Sequence, residues 1–302
     1  MPVFKPSHFP TQDHIWEKGK YWQTMRVGGK IVGFKLENKG TIKNPKIKIS
    51  LFTKEALNTE EKKKALEKIS WQFGFNEDLG EFYEKFKKDR VLAPLFKKFL
   101  GMKVNSGEVG LYTMLMVYIV LQNATARRTV QMMNALLEKY GKKVRFDEKE
   151  IYVFWVPEIL NRASERGLRN LKIGYRAKFL KRISSDFARG RIDEEDIRKL
   201  SKEEVEKELL KIYGIGPTSV DALLFEVFHH YDAFDTLPPW DQKILSRLIY
   251  NKPFVPVKKI LKDAQIRWGK WKRLAIHYVW EDIFWQRKQG KKIDWLEKEI
   301  RL

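Results

Sequence analysis

The chain has 302 residues, of which 43% are hydrophobic and ten are tryptophan, so it can bury the cores of two or three compact domains. Its 60 Lys and Arg residues against 39 Asp and Glu give a formal net charge of +21, which indicates a polyanionic partner, with nucleic acid the first candidate. The absence of cysteine excludes disulfides, thiol nucleophiles and thiolate metal sites.

From the hydrophobic pattern of the sequence we expect no targeting or membrane segment. The N-terminal stretch MPVFKPSHFPTQDHIWEKGK lacks the continuous apolar run of a signal peptide. The longest apolar run, LYTMLMVYIVL at 111–121, is too short to span a bilayer. Basic residues alternate with acidic and apolar ones instead of forming a polybasic tail, which argues against a membrane partner. We therefore expect a cytoplasmic, intracellular protein.

The hydrophobic pattern predicts an α+β fold. In RVGGKIVGFKLENKG and PKIKISLF, between residues 20 and 55, apolar residues alternate around turn signals, which predicts a small antiparallel sheet. From about residue 58 the spacing is helical and almost unbroken to the C-terminus. We place the boundary within GMKVNSGEVG, giving an N-terminal α+β domain at 1–105 and a mainly α-helical body at 106–302.

Within this body, residues at about 202–231 are predicted to form a helix-hairpin-helix. Ser201 and Glu204 form a capping-box pattern that starts the first helix. Apolar residues at helical spacing give the second helix one buried face, and these are Val220, Leu223, Leu224, Val227 and Phe228.

The turn between the two helices has the composition of a phosphate-binding site. Gly214 suits the left-handed end of the first helix, and Pro217 suits the first turn of the next one, which begins after Gly216. A helix that starts at such a turn presents unpaired N–H groups to an anion. The alternative is that both glycines serve only the turn.

A single aspartate follows two prolines in LPPWDQKILSRLIY. Pro238 and Pro239 stiffen the chain before Trp240 and Asp241, and a new apolar helical period follows. Asp241 is therefore predicted to lie near a helix N-terminus, where spacing alone favours an N-cap.

These segments resemble the helix-hairpin-helix DNA glycosylase superfamily, and most of all its 3-methyladenine glycosylase II and 8-oxoguanine glycosylase branches. LLKIYGIGPTSVDALLF with LPPWDQKILSR resembles the hairpin and aspartate signature. Three more segments resemble the superfamily in the expected order: LQNATARRTVQMMNALLEKYG, IGYRAKFLKRISSDFARGRI and WGKWKRLAIHYVWEDIFW. With the N-terminal sheet, the resemblance covers nearly the whole chain.

The resemblance implies a DNA-repair enzyme that flips a damaged base out of double-stranded DNA and hydrolyses its N-glycosidic bond. Asp241 matches the catalytic aspartate, which we expect to be held by a capping interaction and ionised at neutral pH. Asn123 matches the residue that fills the gap left by the flipped base, and Arg128 matches one that faces the opposite base. The remaining implied DNA contacts are Gln122, Gly214, Gly216 and Thr218.

The resemblance also implies the substrate and the reaction type. Trp280 matches an aromatic residue of the base pocket, to which we also assign Trp240, and we expect alkylated purines to be favoured over oxidised or deaminated bases. Bifunctional members carry a lysine at the position of Thr218, so a monofunctional enzyme is expected. The resemblance implies no organic cofactor and no metal held by side chains. It does imply a Na⁺ or K⁺ ion held by the backbone of Gly214 and Gly216. A monomer is expected.

Two other functions remain open from the sequence. Helix-hairpin-helix units also occur as non-catalytic DNA-binding modules, and a bifunctional 8-oxoguanine glycosylase/lyase would need a displaced lysine, for which Lys211 and Lys243 are the nearby residues. Asp235 is a weaker alternative to Asp241 as the carboxylate. A phosphodiesterase nuclease is disfavoured, because the sequence shows no cluster of acids at metal-binding spacing.

Overall fold

The computed structural model describes residues 9–42, 44–104 and 110–299. Its strands are β1 (His14–Glu17), β2 (Lys20–Val27), β3 (Lys30–Asn38), β4 (Ile47–Phe52), β5 (Lys142–Phe146) and β6 (Lys149–Val153). Its first helices are α1 (Thr59–Gln72), α2 (Gly80–Phe86), α3 (Leu92–Phe99), α4 (Leu111–Leu121), α5 (Ala126–Tyr140), α6 (Pro157–Arg162), α7 (Glu165–Leu168), α8 (Arg176–Ala188) and α9 (Glu194–Ile197). The later helices are α10 (Lys202–Leu210), α11 (Pro217–Glu226), α12 (Pro239–Tyr250), α13 (Val257–Trp268), α14 (Lys272–Lys288) and α15 (Asp294–Glu299).

The chain folds into two compact units. Among the described residues, the first unit comprises 9–76, 110–199 and 212–214, and the second comprises 77–104, 200–211 and 215–299. A small antiparallel sheet followed by helices confirms the predicted α+β class. The predicted domain boundary at 105 and 106 lies outside the described residues. No helix within those residues is long and apolar enough to cross a membrane.

In the first unit, β1 to β4 form an antiparallel sheet in sequential order. Gly28 and Gly29 both have positive φ, as the two-residue turn between β2 and β3 requires. Alternate residues of the strands face helix α1 and form a core with it, as the period-2 pattern predicts. This core includes Tyr21, Met25, Val32, Phe34, Leu36, Ala65, Ile69 and Phe73.

The expectation of almost unbroken helical spacing after residue 58 is wrong at β5 and β6. These strands form an antiparallel hairpin that turns at Asp147 and Glu148, both with positive φ. The turn is fixed from outside, because the Asp147 carboxylate accepts a hydrogen bond from the Trp22 indole at 2.7 Å and pairs with Lys35 at 2.9 Å. Alternation in KKVRFDEKEIYV was the available signal, although its two-residue turn lacks glycine.

Helix α4 explains the long apolar run of the sequence. It is buried on nearly all sides within the first unit, which a helix needs in order to be apolar all round. The hydroxyl of Tyr112, in this helix, shares a hydrogen bond with the Ser184 hydroxyl at 2.8 Å and accepts one from the Trp155 indole at 3.1 Å.

The second unit has a separate core built mainly from helices α2, α3 and α11 to α14. Its largest fully buried side chains include Phe82, Phe225, Phe234, Trp268 and Tyr278. The apolar period predicted for the second hairpin helix is confirmed, because all five of its predicted residues are buried. Ile244 and Leu245 of α12 are buried as well, so α12 is fixed on one face by apolar packing.

Candidate active site and nucleic-acid interface

The hairpin has the positive φ at Gly214 and the helix start after Gly216 that the sequence predicts, but α10 ends at Leu210, so Gly214 does not end that helix. The capping box of Ser201 and Glu204 starts α10. Gly214 has φ +90°, a conformation that other residues rarely adopt. Gly216 is the N-cap of α11 and Pro217 its first residue, and no side chain caps the first turn. The N–H groups of this turn therefore lack the intrahelical and capping partners that would otherwise occupy them.

Gly214 also permits a close approach within the first unit. A Cβ atom at this position would lie 2.6 Å from the Phe179 ring. The Gly214 carbonyl accepts a hydrogen bond from the Gln122 side-chain amide at 2.6 Å. The loop between α4 and α5 is thereby linked to the backbone of Gly214.

Asn123, next in the chain, is exposed and has φ +49°. Its amide donates to the Tyr175 hydroxyl at 3.1 Å. The Gln122 carbonyl accepts hydrogen bonds from the Arg176 guanidinium and, at 3.4 Å, from the Tyr175 hydroxyl. The unusual backbone conformation at Asn123 is therefore held by residues at the start of α8.

Arg128 lies in the first turn of α5, which Thr125 caps by accepting a hydrogen bond from the Arg128 N–H at 3.1 Å. The guanidinium of Arg128 donates to the Lys172 carbonyl, and to the Gln131 side chain at 3.3 Å. Lys172 has φ +59° within the π-helical turn Arg169–Ile173. Arg128 thus braces this turn, and any contact with DNA would require it to exchange these partners.

The residues at the start of α8 were not selected individually from the sequence. Tyr175 and Tyr213 are exposed, and both rings contact Phe179, with centroids 5.8 and 5.1 Å from it. The Lys178 ammonium lies 5.6 Å from the Tyr213 ring centroid. Aromatic faces interspersed with cations are a common surface for nucleic acid. The available signal was the GYRAKFL-like segment, whose individual residues were not interpreted.

In the second unit, Asp241 is the third residue of α12, whose N-cap is Pro238. The expectation of an N-cap aspartate is therefore wrong, because the N-cap lies three residues earlier, at Pro238. The Asp241 side chain is buried, with 6% of the residue exposed. Its Oδ1 atom has no hydrogen-bond partner within the part of the chain that the structure describes.

The environment of Asp241 favours its protonated form. Burial raises the pKa of Asp241 to about 7, and this effect outweighs the Arg273 charge and a hydrogen bond from Trp280, which both lower it. The expectation that a capping interaction keeps this carboxylate fully ionised at neutral pH therefore does not hold. A carboxyl group poised near neutrality can change its charge in the physiological range.

Two tryptophans lie close to this carboxyl group. Trp240, directly before Asp241, is 51% exposed, and its ring centroid lies 5.6 Å from that of Trp280. Trp280 is half-buried and stacks on Phe284 at 5.3 Å. The structure thus brings Trp240, Asp241 and Trp280 together, as an aromatic surface beside a buried acid.

The other candidate residues have simpler surroundings. Thr218 is exposed in the first turn of α11. Asp235 is exposed, and its carboxylate pairs with the buried Lys272 at 2.6 Å. Lys211 is exposed and pairs with Glu208 at 2.6 Å. Within the described ranges, no group of three or more His, Asp or Glu side chains is placed to hold a metal ion.

Comparisons with known proteins show what the chain is similar to in sequence and in fold. No protein-family model matches the chain. The chain is 25% identical over 215 residues to a DNA-3-methyladenine glycosylase of Bacillus subtilis, covering 70% of each protein. It matches the structure of a 3-methyladenine DNA glycosylase from Archaeoglobus fulgidus with a TM-score of 0.79, at 18% identity, over 95% of this chain and 93% of that one.

A third comparison is with a structure solved on DNA. It is the 8-oxoguanine glycosylase/lyase of Clostridium acetobutylicum in complex with double-stranded DNA containing cytosine opposite 8-oxoguanine. The match has a TM-score of 0.69 at 23% identity and covers 96% of this chain and 93% of that one. The chain is thus similar in sequence to a DNA-3-methyladenine glycosylase, and it shares the fold of solved DNA glycosylase structures.

Proposed function

We propose that the protein is a DNA-repair glycosylase that flips a damaged base out of double-stranded DNA and hydrolyses its N-glycosidic bond. The observation that carries the proposal is the buried Asp241 carboxyl, with an unpartnered oxygen, beside two aromatic rings. A buried polar atom without a partner is unfavourable for folding, so such a group points to a functional requirement. The homologue named for 3-methyladenine supports the same reaction class.

The chemistry required is the stabilisation of positive charge on the deoxyribose. As the bond from C1′ to the base breaks, the sugar takes on oxocarbenium character. An ionised Asp241 held out of water stabilises that charge more strongly than a solvated carboxylate, because the local dielectric is low. The same carboxylate can orient and deprotonate the attacking water, which supplies the oxygen of the abasic product.

Asp241 is preferred to Asp235 on the basis of their surroundings. Asp235 is exposed and its charge is already neutralised by Lys272 at 2.6 Å. Asp241 is buried and has an oxygen available for a substrate. Only the buried environment of Asp241 gives a carboxylate a large effect on the positive charge that develops on the sugar.

Alkylated purines are the proposed substrate class. Trp240 and Trp280 lie together, and half of the Trp240 surface is accessible to solvent. Alkylation at a ring nitrogen leaves a purine with a positive charge, which is attracted to an aromatic face. An ionised Asp241 adds a favourable charge for the same base.

The hairpin and the α4–α5 loop are the proposed DNA contacts. The backbones of Gly214 and Gly216, together with Thr218, are placed at the uncapped N-terminus of α11, which suits a phosphate. Gln122 and the exposed Asn123 lie beside the Gly214 backbone in the first unit. We assign Asn123 to the gap left by the flipped base. Arg128 is assigned to the opposite strand once it exchanges its present partners, and phosphate contacts alone read no sequence.

We propose a monofunctional enzyme that leaves an abasic site. Strand cleavage through a Schiff base needs an available amine, and the matching position is the hydroxyl residue Thr218. Nearby Lys211 is paired with Glu208. We also propose that the enzyme acts as a monomer inside the cell. A Na⁺ or K⁺ ion at the hairpin would have to share the Gly214 carbonyl with Gln122, and no step of the reaction depends on one.

The rate of base release should rise with pH through about 7. Asp241 must be ionised to act, and burial raises its pKa to about 7. Below that pH the carboxyl is protonated, so the single-turnover rate should fall by about tenfold per pH unit. A rate that stays flat from pH 5 to pH 8 would mean that the essential carboxylate has an ordinary pKa. Single-turnover rates at saturating protein, measured from pH 5 to pH 9, check this.

The experiment that tests the proposed function is a comparison of damaged duplexes. Duplexes carrying 3-methyladenine, 1-methyladenine, hypoxanthine, uracil or 8-oxoguanine are incubated with the protein, and strand breaks are read with and without alkali. Alkali-dependent breaks at the methylated purines are expected. Breaks without alkali would establish a lyase, and binding without base release on every duplex would establish a DNA-binding module.

A further inference from the structure

Asp221 lies on α11, the second helix of the hairpin, and holds the segment that leads to Asp241. Its Oδ2 atom accepts hydrogen bonds from Asp235 N at 3.0 Å, Thr236 N at 2.7 Å and the Thr236 hydroxyl at 2.6 Å. Asp221 is buried, with 7% of the residue exposed. Because hydrogen bonds to a carboxylate are strong and directional, this arrangement fixes the backbone of the two residues it binds.

A second set of contacts fixes the same segment. The buried Lys272, at the start of α14, reaches the Asp235 carboxylate at 2.6 Å. Lys202, at the start of α10, pairs with Asp232 at 2.8 Å and lies 3.9 Å from Asp235. Residues 232–236 are therefore attached by side chains to three different helices of the second unit.

The chain between this segment and Asp241 is short and stiff. Leu237 is buried, and it is followed by Pro238 and Pro239. The proline rings hold the backbone angle φ of these two residues at about −65°. With few free dihedral angles between Thr236 and the first turn of α12, a displacement of Thr236 is transmitted to Asp241.

We propose that Asp221 is a positioning residue for base release, which acts by fixing Asp235 and Thr236 and hence the orientation of Asp241. This inference rests on the proposed function, in which Asp241 is the catalytic carboxylate. Asp221 itself touches no substrate in this scheme. Its hydrogen bonds couple the hairpin helix to the start of the helix that carries the reacting group.

Replacement of Asp221 by alanine should lower the single-turnover rate by about 10- to 100-fold, because a displacement of about 1 Å at a reacting group has an effect of this size. DNA affinity should be unchanged. The acid limb of the pH profile should move to lower pH, since water admitted to Asp241 reverses the burial that raises its pKa. Asp221→Asn should restore most of the rate, because its amide oxygen can accept the same N–H groups.

Asp193→Ala is the matched control. Asp193 also accepts two backbone N–H groups, from Glu195 at 2.8 Å and Asp196 at 3.3 Å, but it caps α9 in the first unit. Its loss should reduce the melting temperature without changing the rate or the pH profile of the folded protein. The proposal is overturned if Asp221→Ala loses stability while its rate and pH profile stay those of the wild type.

Hydrogen exchange gives a second measurement that does not depend on activity. The amides of Asp235 and Thr236 should exchange slowly in the wild type, and exchange at 235–242 should accelerate selectively in Asp221→Ala. If the wild type releases no base from any duplex, the proposed function fails, and the exchange data still report whether Asp221 fixes the segment. Unchanged exchange at 235–242 would reject the positioning role whatever the activity.

Discussion

Replacing Asp241 by asparagine should lower the single-turnover rate of base release by about 1,000-fold or more and leave DNA affinity unchanged. Asparagine keeps the size and the hydrogen-bonding ability of the side chain but removes its charge, and a preorganised charge at a reacting centre is worth about this much. The measurement is base release at saturating protein, with binding followed separately by anisotropy. Retention of more than a tenth of the wild-type rate would show that another group carries the reaction.

The same substitution should make the folded protein more stable above neutral pH. An unfolded Asp ionises near its ordinary pKa, whereas burial raises the pKa of Asp241 in the folded protein to about 7. As pH rises between these two values the unfolded state loses its proton first, so the folded state is progressively destabilised, by up to a few kcal/mol above pH 7. Asparagine has no such penalty. The melting temperatures of the two proteins should agree near pH 4 and diverge by pH 8.

Asp89 provides a control of opposite sign. Although burial opposes ionisation there, hydrogen bonds from Arg267 and from two backbone N–H groups hold the pKa of Asp89 below its ordinary value. Asp89→Asn should therefore destabilise the protein at neutral pH, with the difference shrinking as acid protonates the wild-type carboxyl. If both substitutions changed the melting temperature in the same direction at pH 8, ionisation of the buried Asp241 would not be what destabilises the folded protein.

Replacing Gly214 by alanine should weaken DNA binding by about 10- to 100-fold, the cost of losing one or more charge-assisted backbone contacts to phosphate. The Cβ atom would meet the Phe179 ring at 2.6 Å, and φ +90° is strained for alanine. The hairpin backbone must move to relieve both, which would misplace the N–H groups that we propose bind a phosphate. Anisotropy with a duplex that contains an abasic-site analogue, at fixed salt, measures the change.

Gly190→Ala is a control that separates the effect of backbone strain from the effect of the contact between a new Cβ atom at residue 214 and the Phe179 ring. Gly190 also has positive φ, at +67°, yet a Cβ atom there meets nothing within 4 Å. This variant should lose about 1 to 2 kcal/mol of stability and bind DNA as the wild type does. Equal loss of affinity in the two variants would mean that global destabilisation, rather than the hairpin, accounts for the Gly214 result.

Local chemistry explains why the fold class was accessible from sequence. The capping box at Ser201, the glycines at 28, 29 and 214, and alternation through β2 and β3 each specify a local structure, and all agree with the overall fold. The β5–β6 hairpin was missed because its turn uses Asp147 and Glu148 at positive φ. Those residues are held by Trp22 and Lys35, which lie far away in sequence.

The sequence predicted which residue types form the candidate site, but it did not predict how burial affects the ionisation of Asp241. The double proline and the resemblance to the glycosylase signature singled out Asp241 as the candidate carboxylate, yet its burial and its unpartnered oxygen depend on tertiary packing and leave no local pattern. The helix start was misplaced for the same reason, since Asp241 is a good N-cap residue but Pro238 takes that position. Asp221 gave no signal either, because its partners Asp235 and Thr236 are 14 and 15 residues away.

The exposure of Trp240 gives the protein an optical reporter. Of the tryptophans whose side chains the structure describes, Trp71 and Trp240 are the largely exposed ones, and only Trp240 adjoins Asp241. A nucleobase that stacks on this indole would quench its emission before any bond is broken. In a protein with asparagine at position 241, stopped-flow fluorescence would then follow capture of the flipped base alone. The arrival of the base and its excision thus become separately visible in time.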